Sequence, residues 1–328
     1  MIFFIKMKCG DEVDAKKLTE AAMLSSLFIA AGIFFIGTGI AYSIFLDIGV
    51  PILITLIYLR CETRYTILAS VTSLILVTFV FGNLAVSISM IQGMLIGFVC
   101  GFLINRNTLL NDDFLYCSLL AAIVLIFIDL LFSGILGYSF VKEANEYLVY
   151  FPYDDNVKEV VFYILIATMP LGTIIMTYIG AVFFGKKLRL LNKNGERKYL
   201  FLRNYKKYGN FQYCSRKTTY IGLVYIILIK LIGRNNILFR YTYIKLILMT
   251  FAYILIYFLV KDAYSILCGT VHKIFKSRGA LIFTQILILY SLLYYFQIAF
   301  IVVVTASIIV DTRFSIRKNT NKFVINMF

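Results

Sequence analysis

Asp129 stands in the middle of an apolar run, LIFIDLLFSG. A carboxylate at bilayer depth costs several kcal/mol unless it is solvated, paired or protonated. Asp129 is therefore the leading candidate for a substrate cavity or for proton coupling; the plainer role is a protonated or hydrogen-bonded structural Asp. Gln92, and Asn83 just before the same apolar segment, are further polar residues able to point into a cavity. Pro170, in ATMPLGT, is expected to kink its helix, and a kink frees backbone carbonyls that can line such a cavity.

No enzymatic chemistry is signalled. Ser133-Gly134 lacks the rest of a nucleophile motif, and there is no Walker A sequence, no HExxH and no Asp-rich cluster for magnesium. An ATP-driven role would need another subunit. The sequence has 1 histidine, His272, and 6 cysteines (Cys9, Cys61, Cys100, Cys117, Cys214, Cys268) without CxxC spacing, so neither a metal site nor a cofactor is expected.

Two small-residue patterns bear on packing. Ala22, Ser26 and Ala30 recur at i, i+4 and i+8, with Ala21 and Ser25 beside them. In lipid, helix association rests on close packing, so such a face serves either this bundle or a separate membrane subunit. Gly93, Gly97 and Gly101 form a glycine ridge, read as tight internal packing.

The elements that carry these residues are apolar spans. With 61% hydrophobic and 15% charged residues among 328, the chain has too little polar surface for a soluble globule. The fold class expected is all-α, a polytopic transmembrane helical bundle with eight to ten spans. Residues 1 to 18 lead in, and Thr19 is a plausible N-cap. Six spans follow, over about Glu20–Ile44, Pro51–Leu59, Tyr65–Phe81, Val86–Ile104, Phe114–Tyr138 and Val160–Phe184. Asp47, Gly49 and Pro51 read as an outer turn. The second span is too short to cross ~30 Å at 1.5 Å per residue; it must be tilted, extended backwards or re-entrant. Later come Tyr220–Ile232, Tyr241–Val260 ending at Lys261 and Asp262, and Ala280–Val310, a long tilted helix or a hairpin.

The stretch Lys186–Lys217 sets Lys186, Lys187, Arg189, Lys193, Arg197, Lys198, Arg203, Lys206, Lys207, Arg216 and Lys217 against a single acid, Glu196. Such a loop is kept in the cytoplasm and attracts anionic headgroups. Across the sixth span lies a loop of opposite sign, with Glu143, Glu146, Asp154, Asp155 and Glu159. The net charge of +15 sits where a positive-inside topology needs it, so no nucleic-acid partner is expected. The hairpin alternative places both termini in the cytoplasm. The division expected is a lead-in (1–18), a six-span core (19–185), a basic loop (186–218), C-terminal helices (219–312) and a basic tail (313–328).

Three stretches carry a resemblance: Lys17-Leu18-Thr19-Glu20-Ala21-Ala22-Met23-Leu24, QGMLIGFVCGFLINR (Gln92 to Arg106), and the run Ile309 to Lys318. They resemble the YybS-like bacterial membrane proteins, a family whose six-span part is similar to the substrate-binding S components of energy-coupling-factor transporters. The resemblance implies a bacterial inner-membrane location and an unidentified small-molecule ligand. It also implies a docking face at Ala22, Ser26 and Ala30 for a transmembrane coupling subunit driven by ATPases. Serine stands at one step where the family has alanine, and nothing after Lys186 has an S-component counterpart. A stand-alone proton-coupled carrier using Asp129 and a non-transporting envelope scaffold are the alternatives.

Overall fold

A computed structural model describes residues 15–150, 152, 154–205, 212–233, 242–275, 277–314 and 316–317. Cys9 and most of the lead-in and tail lie outside the described residues. The chain forms α1 (Ala15–Thr38), a short α2 (Tyr42–Ile44), a π-helical turn (Phe45–Gly49), α3 (Val50–Phe81), α4 (Leu84–Asn105) and α5 (Leu110–Leu136). Then come α6 (Phe140–Val149), α7 (Asp155–Lys187), α8 (Lys193–Arg203), α9 (Arg216–Gly233), α10 (Thr242–Phe275), α11 (Arg278–Tyr294) and α12 (Phe296–Phe314). Among the described residues there is no strand, and 7 helical segments are long and apolar enough to cross a membrane. The protein is an all-α, multi-pass membrane bundle.

The second span's length has a simple resolution. The reversal after α1 falls at Gly39 (φ 70°) and Ala41 (φ 53°), not at Asp47, Gly49 and Pro51. Those three residues instead lie in continuous helix, so the pass from Tyr42 to Cys61 reaches about 30 Å at 1.5 Å per residue. A proline ring crowds the carbonyl four residues back, and the π-helical turn, wider than an α-turn, accommodates it.

The chain doubles back at Glu62, whose φ of 65° and ψ of −177° break α3. A methyl built on Gly32 of α1 would sit 3.7 Å from Val77 and 4.0 Å from Phe45, which puts the two limbs side by side. Glu62 holds a backbone region otherwise kept for glycine, and Lys17 meets its carboxylate at 2.6 Å.

The glycine ridge of α4 runs along the first limb of α3. A methyl on Gly93 would meet Val50 at 2.9 Å and one on Gly101 would meet Tyr58 at 2.8 Å; one on Gly97 would overlap the Pro51 carbonyl. Thr55 Oγ1 donates to Gly97 O at 2.8 Å and seals the contact.

At the other end of the chain, Ile288 of α11 and Val303 and Val304 of α12 share an apolar cluster with Ala263 of α10. Arg317, past α12, returns to Asp262 of α10, so the chain doubles back at Tyr295 (φ −131°, ψ 51°) as a hairpin. α10 runs on to Phe275, so Lys261 and Asp262 lie inside it and do not end it. Splitting Tyr42–Phe81 at Glu62 gives six passes from α1 to α7; beyond them α10 and α12 are long and apolar enough to cross, and α11 is a shorter apolar helix. Glu20 of α1 meets Arg60, whose neighbour Leu59 lies by Gly185 and Leu191, and Arg317 meets Asp262 beside Cys214. The start of α1 and Arg317 therefore lie at the same end as α8, here called the basic end.

Candidate functional site

The buried acids toward the basic end are Asp112 and Asp113 at the start of α5, Asp262 in α10 and Asp311 in α12. Their exposures are 4%, 0%, 1% and 2%. Four buried carboxylates at the end of the bundle richest in cations form a joint between the first six passes, the basic loop and helices α9, α10 and α12.

Asp113 is the innermost. It accepts hydrogen bonds from Tyr178 of α7, from Thr108, and from Lys198 of α8 at 2.7 Å. Lys198 also donates to Leu103 O and, at 3.2 Å, to Thr108 Oγ1. The basic loop reaches this point because Asn192 caps α8 through Gly195 N at 2.8 Å. Asn192 and Asn194 tie it to Asn105 O, at the end of α4, at 3.1 and 3.0 Å. Burial pulls the Lys198 ammonium below its ordinary range, and the Asp113 carboxylate opposes that shift.

The other acids bind the second half. Asp112 takes the Ser215 N–H on both carboxylate oxygens, at 3.0 and 3.2 Å, where the positive end of the α9 dipole adds attraction. Asp262 accepts from Cys214 N at 2.7 Å and from Arg317. Asp311 meets Arg216 at 2.8 Å and takes the Arg317 N–H at 3.1 Å. Burial pushes the Cys214 thiol well above its usual range.

Asp129 lies near the opposite end and is 4% exposed. Its carboxylate accepts from Phe140 N at 2.8 Å and from Ser139 Oγ at 3.0 Å, anchoring the start of α6. Asn83 is exposed and caps α4 by accepting from Ala85 N at 2.9 Å. Gln92 is half-buried and stands roughly 13 Å further along the same helix at 1.5 Å per residue. The three polar residues therefore do not converge through any hydrogen bond. Pro170 is buried inside α7, and the helix continues beyond it to Lys187.

On α1, Ala21, Ser25, Phe28 and Gly32 face inward, with Ser25 Oγ 2.8 Å from Ser73 Oγ. Ala22, Ser26 and Ala30 are exposed, and Ser26 Oγ turns back to Met23 O at 2.8 Å. Among the described residues no group of three or more His, Cys, Asp and Glu could hold a metal ion. The nearest cysteine pair, Cys100 and Cys117, holds its sulfurs 3.6 Å apart.

The acidic joint left a trace in the sequence that motif reading passed over. Asp112, Asp113, Asp262 and Asp311 flank spans at the end where a positive-inside topology gives acids no role. The class defined so far is a multi-pass helical membrane protein with an ionic joint between its halves. Comparison with protein-family models, characterised proteins and solved structures finds no match.

Proposed function

We propose that this chain is a non-enzymatic subunit of a bacterial inner-membrane complex, with its basic end and both termini in the cytoplasm. In this reading the six-pass part binds a small molecule, and α1 docks a separate transmembrane coupling subunit whose partner ATPases supply the energy, as in S components. One observation carries it. Ala22, Ser26 and Ala30 form an exposed small-residue face on α1, while the parallel set Ala21, Ser25, Phe28 and Gly32 is already used inside the bundle. Beside that face stand Met23 and Leu27, 68% and 60% exposed, so a neighbouring helix could seat between large side chains against a shallow floor. The basic loop would add contact with anionic headgroups.

The test is affinity purification of the tagged chain in mild detergent, with Ala22, Ser26 and Ala30 native or changed to Leu. A transmembrane subunit with ATPases should co-purify with the native chain and be lost with the bulky face. Their absence from both samples overturns the reading.

The buried joint favours a second reading, a membrane scaffold whose basic loop is held rigidly for a cytoplasmic contact. A proton-coupled carrier using Asp129 draws less support, because both carboxylate oxygens already anchor α6. Deleting α8 would abolish a scaffold phenotype, and uncoupler-sensitive uptake without ATPases would mark the carrier.

A further inference from the structure

Beside the ionic joint lies a polar cluster that the paired carboxylates do not satisfy. Asn111, 1% exposed, donates from Nδ2 to Gln212 O at 2.9 Å and accepts from Lys261 Nζ at 3.2 Å on Oδ1. One side-chain amide thus separates the Lys261 ammonium from the backbone of Gln212. Lys261 is partly exposed and has no carboxylate partner among the described residues. Gln212 is 4% exposed, and neither its Nε2 nor its Oε1 has a hydrogen-bond partner.

Both vacancies are costly. A buried amide left without hydrogen bonds loses its hydration and gains nothing in return. The neighbouring acids cannot answer Lys261. Asp113 is held by Lys198, Asp262 by Arg317 and Cys214 N, Asp311 by Arg216, and Asp112 by the start of α9. Among the described residues Lys261 is a partly buried cation at the joint without a carboxylate, and the group that meets both needs is an anion carrying hydrogen-bond acceptors and a hydroxyl donor.

We propose that Lys261, Gln212 and Asn111 bind a phosphate group between the two halves of the bundle at its basic end. Phosphate oxygens accept from Lys261 Nζ and Gln212 Nε2, and a hydroxyl of the ligand donates to Gln212 Oε1. The cluster sits beside the first turns of α5 and α9 at the basic end, and basic pockets between helices at the ends of membrane spans take lipid phosphates. Phosphatidylglycerol and hydrogen phosphate both carry the required groups. The inference is independent of the docking face on α1, and the two can fail separately.

The test follows thermal unfolding of the full chain in neutral detergent at fixed ionic strength, read by a thiol-reactive dye. Phosphatidylglycerol, phosphatidylcholine, inorganic phosphate and chloride are added in turn. In the native chain and in Lys187→Met, which removes an exposed charge elsewhere, the phosphate-bearing anion should raise the midpoint by about 5 °C. The shift should vanish in Lys261→Met and Gln212→Leu and persist in Lys261→Arg. A shift with phosphatidylglycerol alone makes the ligand a lipid headgroup, and one with inorganic phosphate makes it the free ion. No shift from either in the native chain, or an undiminished shift in Lys261→Met, overturns the proposal. If both neutral variants fail to fold, native mass spectrometry of the wild-type chain decides it, since the site requires a retained phosphate-bearing adduct.

Discussion

Lys198 brings its ammonium to three acceptors, Leu103 O, Thr108 Oγ1 and Asp113 Oδ2. Removing that cation alone leaves a carboxylate sealed at 0% exposure without a counter-charge. Lys198→Met should therefore cost about 3–5 kcal/mol in thermal or denaturant unfolding. Adding Asp113→Asn should recover about 1–3 kcal/mol, because the two residues are directly coupled. Equal, additive losses would show that the pair does not act as one. Asp129 behaves differently, since its partners are a backbone N–H and a hydroxyl. Asp129→Ala should cost about 1–2 kcal/mol, the value of a lost helix anchor, and Asp129→Asn less, because one acceptor remains. A loss several times larger would return Asp129 to the list of groups with a charged role. The sequence flagged Asp129 because it interrupts an apolar run, a local signal. It showed only the location of Asp113, whose meaning depends on Lys198 and Tyr178 arriving from α8 and α7.

At the level of elements, periodicity and length placed most helices well, because a lipid-facing helix must be apolar over its whole crossing. Two boundaries escaped that logic. Asp47, Gly49 and Pro51 have the composition of a turn, yet they lie within helix because the π-helical turn makes room for the proline. Lys261 and Asp262 look like the end of a span, yet α10 continues past them, with Asn111 accepting from Lys261 and Arg317 pairing with Asp262 inside the bundle. The contact between α4 and α3 offers a direct check of packing. Gly97→Ala forces its methyl against a backbone carbonyl that cannot rotate away, and should cost about 1–3 kcal/mol in unfolding. Ala at Gly134, where a methyl meets nothing within 4 Å, should be neutral, which makes it the matched control.

Across the whole molecule, the five described cysteines (Cys61, Cys100, Cys117, Cys214, Cys268) are all buried and free. Maleimide labelling of the folded chain in detergent should therefore leave all five unmodified, and heating should expose them in one cooperative step. Labelling of Cys214 before that step would mean that the connector between α8 and α9 opens independently of the bundle. The overall bundle was legible because hydropathy is a property of each stretch. The joint was not, because it depends on which distant stretches meet. Its pairings also have an order in time. Asp113 precedes Lys198 by 85 residues, and Asp262 precedes Arg317 by 55. A growing chain thus carries each of these two acids into or beside the membrane well before the matching cation is synthesised. Until then the carboxylate must stay hydrated or protonated, so the first half settles fully only once the basic loop has emerged. The second half waits in the same way for Arg317. Stalling translation when Lys187 has emerged but Lys198 has not should leave a loosely packed six-pass intermediate, a natural target for membrane proteases that the finished chain escapes.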